Sequence, residues 1–262
     1  MMQVKPPAVA GLFYPADPDE LRAMLHGMFA EAHSDASERP LALIAPHAGY
    51  QYSGPIAANA YATLAPWADQ INRVVVLAPS HRVPFIGIAA SSADAFQTPL
   101  GDIPVDRDAV TRLLDDPDVQ PLDAAFAQEH ALEVQLPFLQ TVLTAFTLVP
   151  LIVGEADAEA VSRVIESLWR PDTLIVVSSD LSHYLDYSSC QQRDQATSRA
   201  IEDMDAAHIG PYDACGAYPI RGLLRSAEHH GWHVRTLDLR NSGDTSGDKS
   251  KVVGYGAYEF VA

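Results

Sequence analysis

Two apolar runs in this chain each stop at Ala-Pro, and a histidine follows at once. His47 stands in "APHAGYQYSG" behind Leu41-Ala42-Leu43-Ile44, and His81 stands in "APSHRVP" behind Val74-Val75-Val76-Leu77. A third apolar run ends in "SSDLSH", which delivers Asp180 and His183. Two neutral imidazoles and a carboxylate form the protein half of a facial-triad iron(II) site with open coordination positions. The same donors suit catalytic zinc with a bound water. His183 is suited to acid/base work, since imidazole changes charge near neutral pH. Each residue also has a plainer reading. A loop histidine can simply bond nearby backbone, Asp180 can cap the next turn, and His183 can partner Asp180.

Other polar segments add donors. "EHALEVQ" carries Glu129, His130 and Glu133, and helical spacing places His130 and Glu133 on one face at i, i+3, either lining a cleft or stabilising the helix. It is not the HExxH of zinc proteases. The loop "NSGDTSGDKS" (241–250) could cradle an anion through backbone N–H groups, or offer oxygen from Asp244, Thr245 or Asp248. It lacks the GxxxxGK[ST] pattern of nucleotide-binding loops. Cys190 and Cys215 are read as buried thiols, because free cysteine behaves mainly as a small hydrophobe. His26 and His33 read as solvated side chains.

The elements that must position these groups follow from periodicity. Asp17, Pro18 and Glu20 are a cap, first-turn proline and capping-box partner for a helix whose Leu21, Met24, Leu25 and Met28 share a face. A strand at 41–45, a helix opening near Pro55 and a strand at 73–79 make a βαβ unit, which implies parallel pairing. Short strands and turns are expected over 86–106, a helix at 107–115, and a helix across 129–146 disturbed at Pro137. Strands at "TLVPLIVG" and "DTLIVVSS", helices at "DAEAVSRVIESLW", 191–206 and 219–230, and strands at "HVRTLDL" and "KVVGYGAYEFV" complete the pattern. Parallel α/β sheets place their ligand cleft beyond the carboxyl ends of the strands, where His47, His81, Asp180 and His183 would converge. No linker or repeat divides the chain, so residues 1–262 are expected to form a single domain.

Composition narrows the class. A net charge of −17 and the lack of any Lys/Arg run argue against the basic surface that nucleic-acid backbones demand, and no partner of that kind is expected. Two cysteines outside any CxxC spacing fit a reducing compartment. No unbroken apolar stretch of about 18 residues suggests a membrane span, and the N-terminus lacks a leader pattern. A cytoplasmic, soluble protein is expected.

Eight motifs then carry a resemblance: "AGLFYP", "APHAGYQYSG", "LAPSHRVP", "TPLGDIPVD", "EHALEVQLPFL", "VSSDLSHY", "ACGAYPI" and "NSGDTSGDKSKVVGYGA". In order and spacing, from about residue 8 to 260, the chain resembles the Memo family, whose bacterial and archaeal members are labelled protein B of the AmmeMemoRadiSam system. The resemblance implies a single α/β domain with a mostly parallel central sheet flanked by helices, similar to class III extradiol dioxygenases. It implies His47 and His81 as metal ligands, His183 in acid/base chemistry and Asp180 beside it. Tyr14 and Tyr50, in the first two motifs, join His130 and Glu133 as residues expected at the cleft. Aligned on the family, Thr245 stands where the animal protein has a cysteine ligand and dioxygenases a glutamate; Asp244 or Asp180 would then complete the site. The implied cofactor is a divalent metal, iron(II) first, with zinc or copper as alternatives. Implied partners are a small-molecule ligand and Ammecr-type and radical SAM proteins. Three functions follow: iron-dependent oxidation of a small substrate, a non-catalytic binding protein for those partners, or zinc-assisted hydrolysis with His183 or Glu133 as base.

Overall fold

The computed structural model describes residues 2–33 and 37–262. In chain order the first half comprises β1 (Val4–Lys5), α1 (Pro18–Glu31), β2 (Ala42–Ala45), α2 (Tyr50–Ala62), β3 (Arg73–Pro79), β4 (Ile88–Ala90), β5 (Ala95–Thr98), β6 (Gly101–Pro104), α3 (Arg107–Leu113), β7 (Val119–Pro121) and α4 (Ala124–Ala127). The second half comprises α5 (Leu136–Val142), β8 (Thr147–Val153), α6 (Ala158–Leu168), β9 (Thr173–Ser178), β10 (His183–Leu185), α7 (Tyr187–Glu202), α8 (Ala217–His230), β11 (His233–Asn241), α9 (Ser242–Thr245) and β12 (Val252–Val261).

Among the described residues, nine strands form the main sheet, in the order β10-β12-β2-β9-β3-β8-β4-β7 with β11 on β12. Its centre, β2-β9-β3-β8, is parallel. The flanks run antiparallel where β12 meets β2 and β4 meets β8. All residues of β2, β3 and β9 are buried, which explains their unbroken apolar sequences: helices cover both faces of a parallel core. Helix α2 packs on β2, β11 and β12 with α1 and α5 against it, and α8 packs on β3 and β9 with α6 behind it. A separate three-stranded sheet, β1-β5-β6, sits at the side. No described helix is long and apolar enough to cross a membrane.

Parallel register aligns the strand ends. Ala45 of β2 pairs with Ser178 of β9, and Leu77 of β3 pairs with Val177. The residues just beyond, His47, Asp180 and His81, therefore leave the sheet at one edge.

Several segments differ from the sequence reading. Helix α2 opens at Tyr50 rather than near Pro55, capped by the extended Gly49, so Pro55 lies inside it. Gly54 in that helix faces Met28 of α1, whose thioether end packs against it where a Cβ would stand. The expected long helix over 129–146 reduces to a 3-10 turn at Glu133–Gln135 followed by α5. Pro137 sits in the first turn of α5, where its missing N–H costs nothing, so it starts the helix instead of disturbing it. The polar "DDPDVQPLD" contains β7, which pairs with β4. On α1, Leu21 and Leu25 are buried, while Met24 is exposed and Met28 half-buried, so the apolar stripe is narrower than expected.

Candidate metal centre

His47, His81 and His130 bring their ring nitrogens to within 4.8 Å of one another at the carboxyl edge of the sheet. The ring centroids are 5.2 Å apart for His47 and His81, 5.4 Å for His47 and His130, and 4.8 Å for His81 and His130.

The surroundings fix which nitrogen of His47 is free. Its Nδ1 lies 2.8 Å from Ser178 Oγ. That hydroxyl already donates its proton to the Ala131 carbonyl at 2.6 Å and accepts from Gln135 Nε2 at 2.8 Å. With its single proton committed, Ser178 can only accept from His47, so Nδ1 carries hydrogen and Nε2 keeps its lone pair. Gln135, fully buried, is itself held by the Tyr61 hydroxyl at 2.7 Å. The His47 backbone N–H donates to Asp180 Oδ1 at 2.7 Å.

His81 is set in the same way by a carboxylate. Glu129 Oε1 lies 2.9 Å from His81 Nδ1, and Oε2 accepts the His81 backbone N–H at 2.6 Å. A carboxylate only accepts, so His81 also presents Nε2 as its free donor atom. Burial would raise the Glu129 pKa, but the bonds from His81 and the Ala131 N–H hold it at about 2. An imidazole backed by a carboxylate is the usual outer support of a metal-bound histidine.

His130 comes from the segment expected to be helical. Glu129 reaches forward to the Ala131 N–H at 3.0 Å, which takes this backbone out of a helix and turns the His130 ring toward the other two. Its Nδ1 is buried, lies 3.3 Å from Glu129 Oε1 and makes no hydrogen bond. Burial, then the His47 charge, lowers the His130 pKa to about 4. Burial and His81 likewise lower that of His47, so His47 and His130 favour the neutral ring, the form that binds metal. Phe13 packs on His130 with centroids 4.6 Å apart.

The three rings line a cavity of about 770 Å³ together with Asp180 and His183. Asp180 is buried; burial raises its pKa, opposed by the bond from His47 and by nearby His183. His183 is exposed on β10, a short strand absent from the sequence reading that pairs with the start of β12.

Cys215 also reaches the cluster, its Sγ 3.3 Å from His47 Nε2. Burial pushes this thiol's pKa up, and its S–H donates to the Asp180 carbonyl at 3.6 Å. It is half-buried and beside the site, not the inert core thiol the sequence suggested. Cys190 does fit that reading: it is buried, bonded to Asp194 and pushed up to about 12 by burial.

Several expected site residues lie elsewhere. Both Asp244 oxygens are engaged, by the Tyr187 hydroxyl at 2.6 Å and the Asn241 N–H at 3.0 Å, because Asp244 closes the capping box of α9. The Thr245 hydroxyl donates to the Ser242 carbonyl at 3.3 Å. Neither belongs to the group formed by His47, His81 and His130, beside which Cys215 places its sulfur. Glu133 points away from His130. It accepts from Ala8 N–H at 2.6 Å, Val9 N–H at 2.9 Å and Tyr14 hydroxyl at 2.7 Å, pinning the N-terminal segment. Tyr14 is thus a structural partner of Glu133, and buried Tyr50 donates to the Val134 carbonyl at 2.7 Å; neither lines the histidine cavity. Sequence reasoning missed the roles of Glu129, Ser178 and Gln135, which no spacing rule announces.

Comparison with known proteins agrees with this architecture. A family model described as Memo-like protein matches residues 5–259. A MEMO1 family protein of Methanopyrus kandleri is 36% identical over 97% of this chain and 98% of its own length. MEMO1 family proteins of Aquifex aeolicus and Aeropyrum pernix are 35% and 34% identical, over 97% and 98% of this chain and 98% and 99% of theirs. An uncharacterized Escherichia coli protein of known crystal structure shares the fold, with a TM-score of 0.52 at 12% identity, covering 84% of this chain and 99% of that one.

Proposed function

This chain belongs to the Memo-like protein family, and we propose that it is a metal-dependent protein acting on a small molecule in the histidine-lined cavity. His47, His81 and His130 would hold the ion, with Cys215 beside His47 as a further donor. The supporting observation is the pair of fixed tautomers: Ser178 and Glu129 leave both Nε2 lone pairs free. The buried, unbonded Nδ1 of His130 fits the same purpose, since such an atom is costly without a partner.

Imidazole suits iron, zinc and copper alike; we take iron(II), which the likeness to extradiol dioxygenases implies. When bound, the ion would supply open positions for O₂ and substrate and a path for electrons between them. His183, on the cavity wall, would take and return the substrate proton. Asp180 would hold the His47 loop in place through the backbone N–H of that residue. Hydrolysis with Glu133 as base has no support, because its carboxylate is occupied by Ala8, Val9 and Tyr14.

The test is anaerobic loading with iron(II), followed by oxygen-consumption assays across small reductants. The reading expects substrate-dependent uptake that falls at least tenfold in His183→Gln with iron content unchanged. Tight iron binding without turnover of any substrate would overturn the oxidative part.

A further inference from the structure

We propose that the cavity selects a small molecule bearing a carboxylate or phosphate group, recognised by Arg82 and Lys251. This inference rests on the cavity being the substrate site and adds the substrate's charge class. The chain has 34 Asp and Glu against 17 Lys and Arg, so acidic partners for its cations are plentiful. Among the described residues about half of the cations are ion-paired, as Lys5 is with Glu133, Arg73 with Asp106 and Arg163 with Asp116 and Asp118; what sets Arg82 and Lys251 apart is their place. Among the described residues, the side chains of Arg82 and Lys251 make no ion pair and no hydrogen bond, and both line the cavity that holds the three imidazoles.

They reach it from different elements. Arg82 follows His81 beyond β3, and Lys251 directly precedes β12. Two cations delivered from separate strands, with guanidinium able to grip two oxygens at once, match an oxyanion rather than a neutral polar group. Two carboxylates share the cavity. Asp180 is turned to the His47 N–H, and Asp248 accepts from the Ser250 N–H and hydroxyl at 2.9 and 2.8 Å. The two cations offset these two carboxylates, and a divalent ion on the histidines would add positive charge. Phe13, Tyr52 and Tyr255 supply apolar wall, so a ring-bearing probe of modest size is appropriate.

The experiment is calorimetric titration of the metal-loaded protein with benzoate, phenyl phosphate and neutral benzamide, with metal content measured on each preparation. At least one oxyanion is expected to bind roughly tenfold or more tightly than benzamide. The tighter of the two identifies the group. Arg82→Gln/Lys251→Gln should reduce the oxyanion to the affinity of benzamide, while Lys249→Gln, whose ammonium stacks on Tyr187 instead, should leave it unchanged. Equal affinity for charged and neutral probes, no binding of any probe, or an unaffected double variant would overturn the inference. Absence of metal with charge selectivity intact would overturn the metal reading instead, so the two failures are distinct.

Discussion

Glu129 holds His81 at two points, accepting its backbone N–H at 2.6 Å and its ring Nδ1 at 2.9 Å. One buried carboxylate thus fixes the position of the loop after β3 and the orientation of its imidazole together. Glu129→Ala should lower metal affinity by roughly 10- to 100-fold, the usual effect of removing such a support. A chelator-competition titration would measure it; unchanged affinity would show that His81 needs no carboxylate behind it.

Ser178 does for His47 what Glu129 does for His81, with a hydroxyl. Ser178→Ala leaves Gln135 Nε2 and the Ala131 carbonyl short of a buried partner. A stability loss of about 1–3 kcal/mol is expected in urea unfolding, together with weaker metal binding because His47 can adopt the other tautomer. Loss of stability with metal affinity intact would contradict the tautomer argument.

Glu133 gives the contrasting result. Its carboxylate serves two backbone N–H groups and the Tyr14 hydroxyl, away from the histidines. Glu133→Ala should cost about 3 kcal/mol through those unsatisfied donors, and Tyr14→Phe about 1 kcal/mol. Metal content per folded chain should stay at the wild-type value in both, as it should in Thr245→Ala. Metal loss in Thr245→Ala with the fold intact would return the third ligand to the 241–250 loop.

Acid should destabilise the metal-free protein in two steps. His130 is held near 4 by burial and then by His47, against an ordinary histidine value of about 6.5. Between these values the unfolded chain binds the extra proton, so the contribution is full above about 6.5 and is lost as pH falls toward 4. Glu129, held at about 2, contributes stability above about 4.3 that is lost as pH falls toward 2. Urea midpoints measured between pH 7 and 2 should decline through both windows. In His130→Asn the upper decline should shrink.

What the sequence made legible follows from burial. Strands β2, β3 and β9 are covered on both faces, so their apolar runs mark them in one dimension, and parallel pairing then brings His47, His81 and Asp180 to one edge. His130 is legible as a cleft residue and does line the cavity, but not its place beside the other two imidazoles: Glu129, His130 and Glu133 sit at helical spacing, while Glu129 is drawn into bonds with His81 and Ala131 that take the backbone out of a helix. The side chains of His130 and Glu133 consequently diverge. Asp244 lies outside the histidine group for a related reason: its carboxylate meets a local need, the cap of α9, that composition does not distinguish from a ligand's role. Cys215 reaches His47 only through tertiary packing, with no local signal in "ACGAYPI".

The central claim is that His47 and His81, set by Ser178 and Glu129, hold a metal ion. Elemental analysis of anaerobically purified protein beside His47→Ala/His81→Ala tests it most directly. The account predicts about one transition-metal ion per wild-type chain and essentially none in a folded double variant. Equal metal content in the two proteins would contradict it.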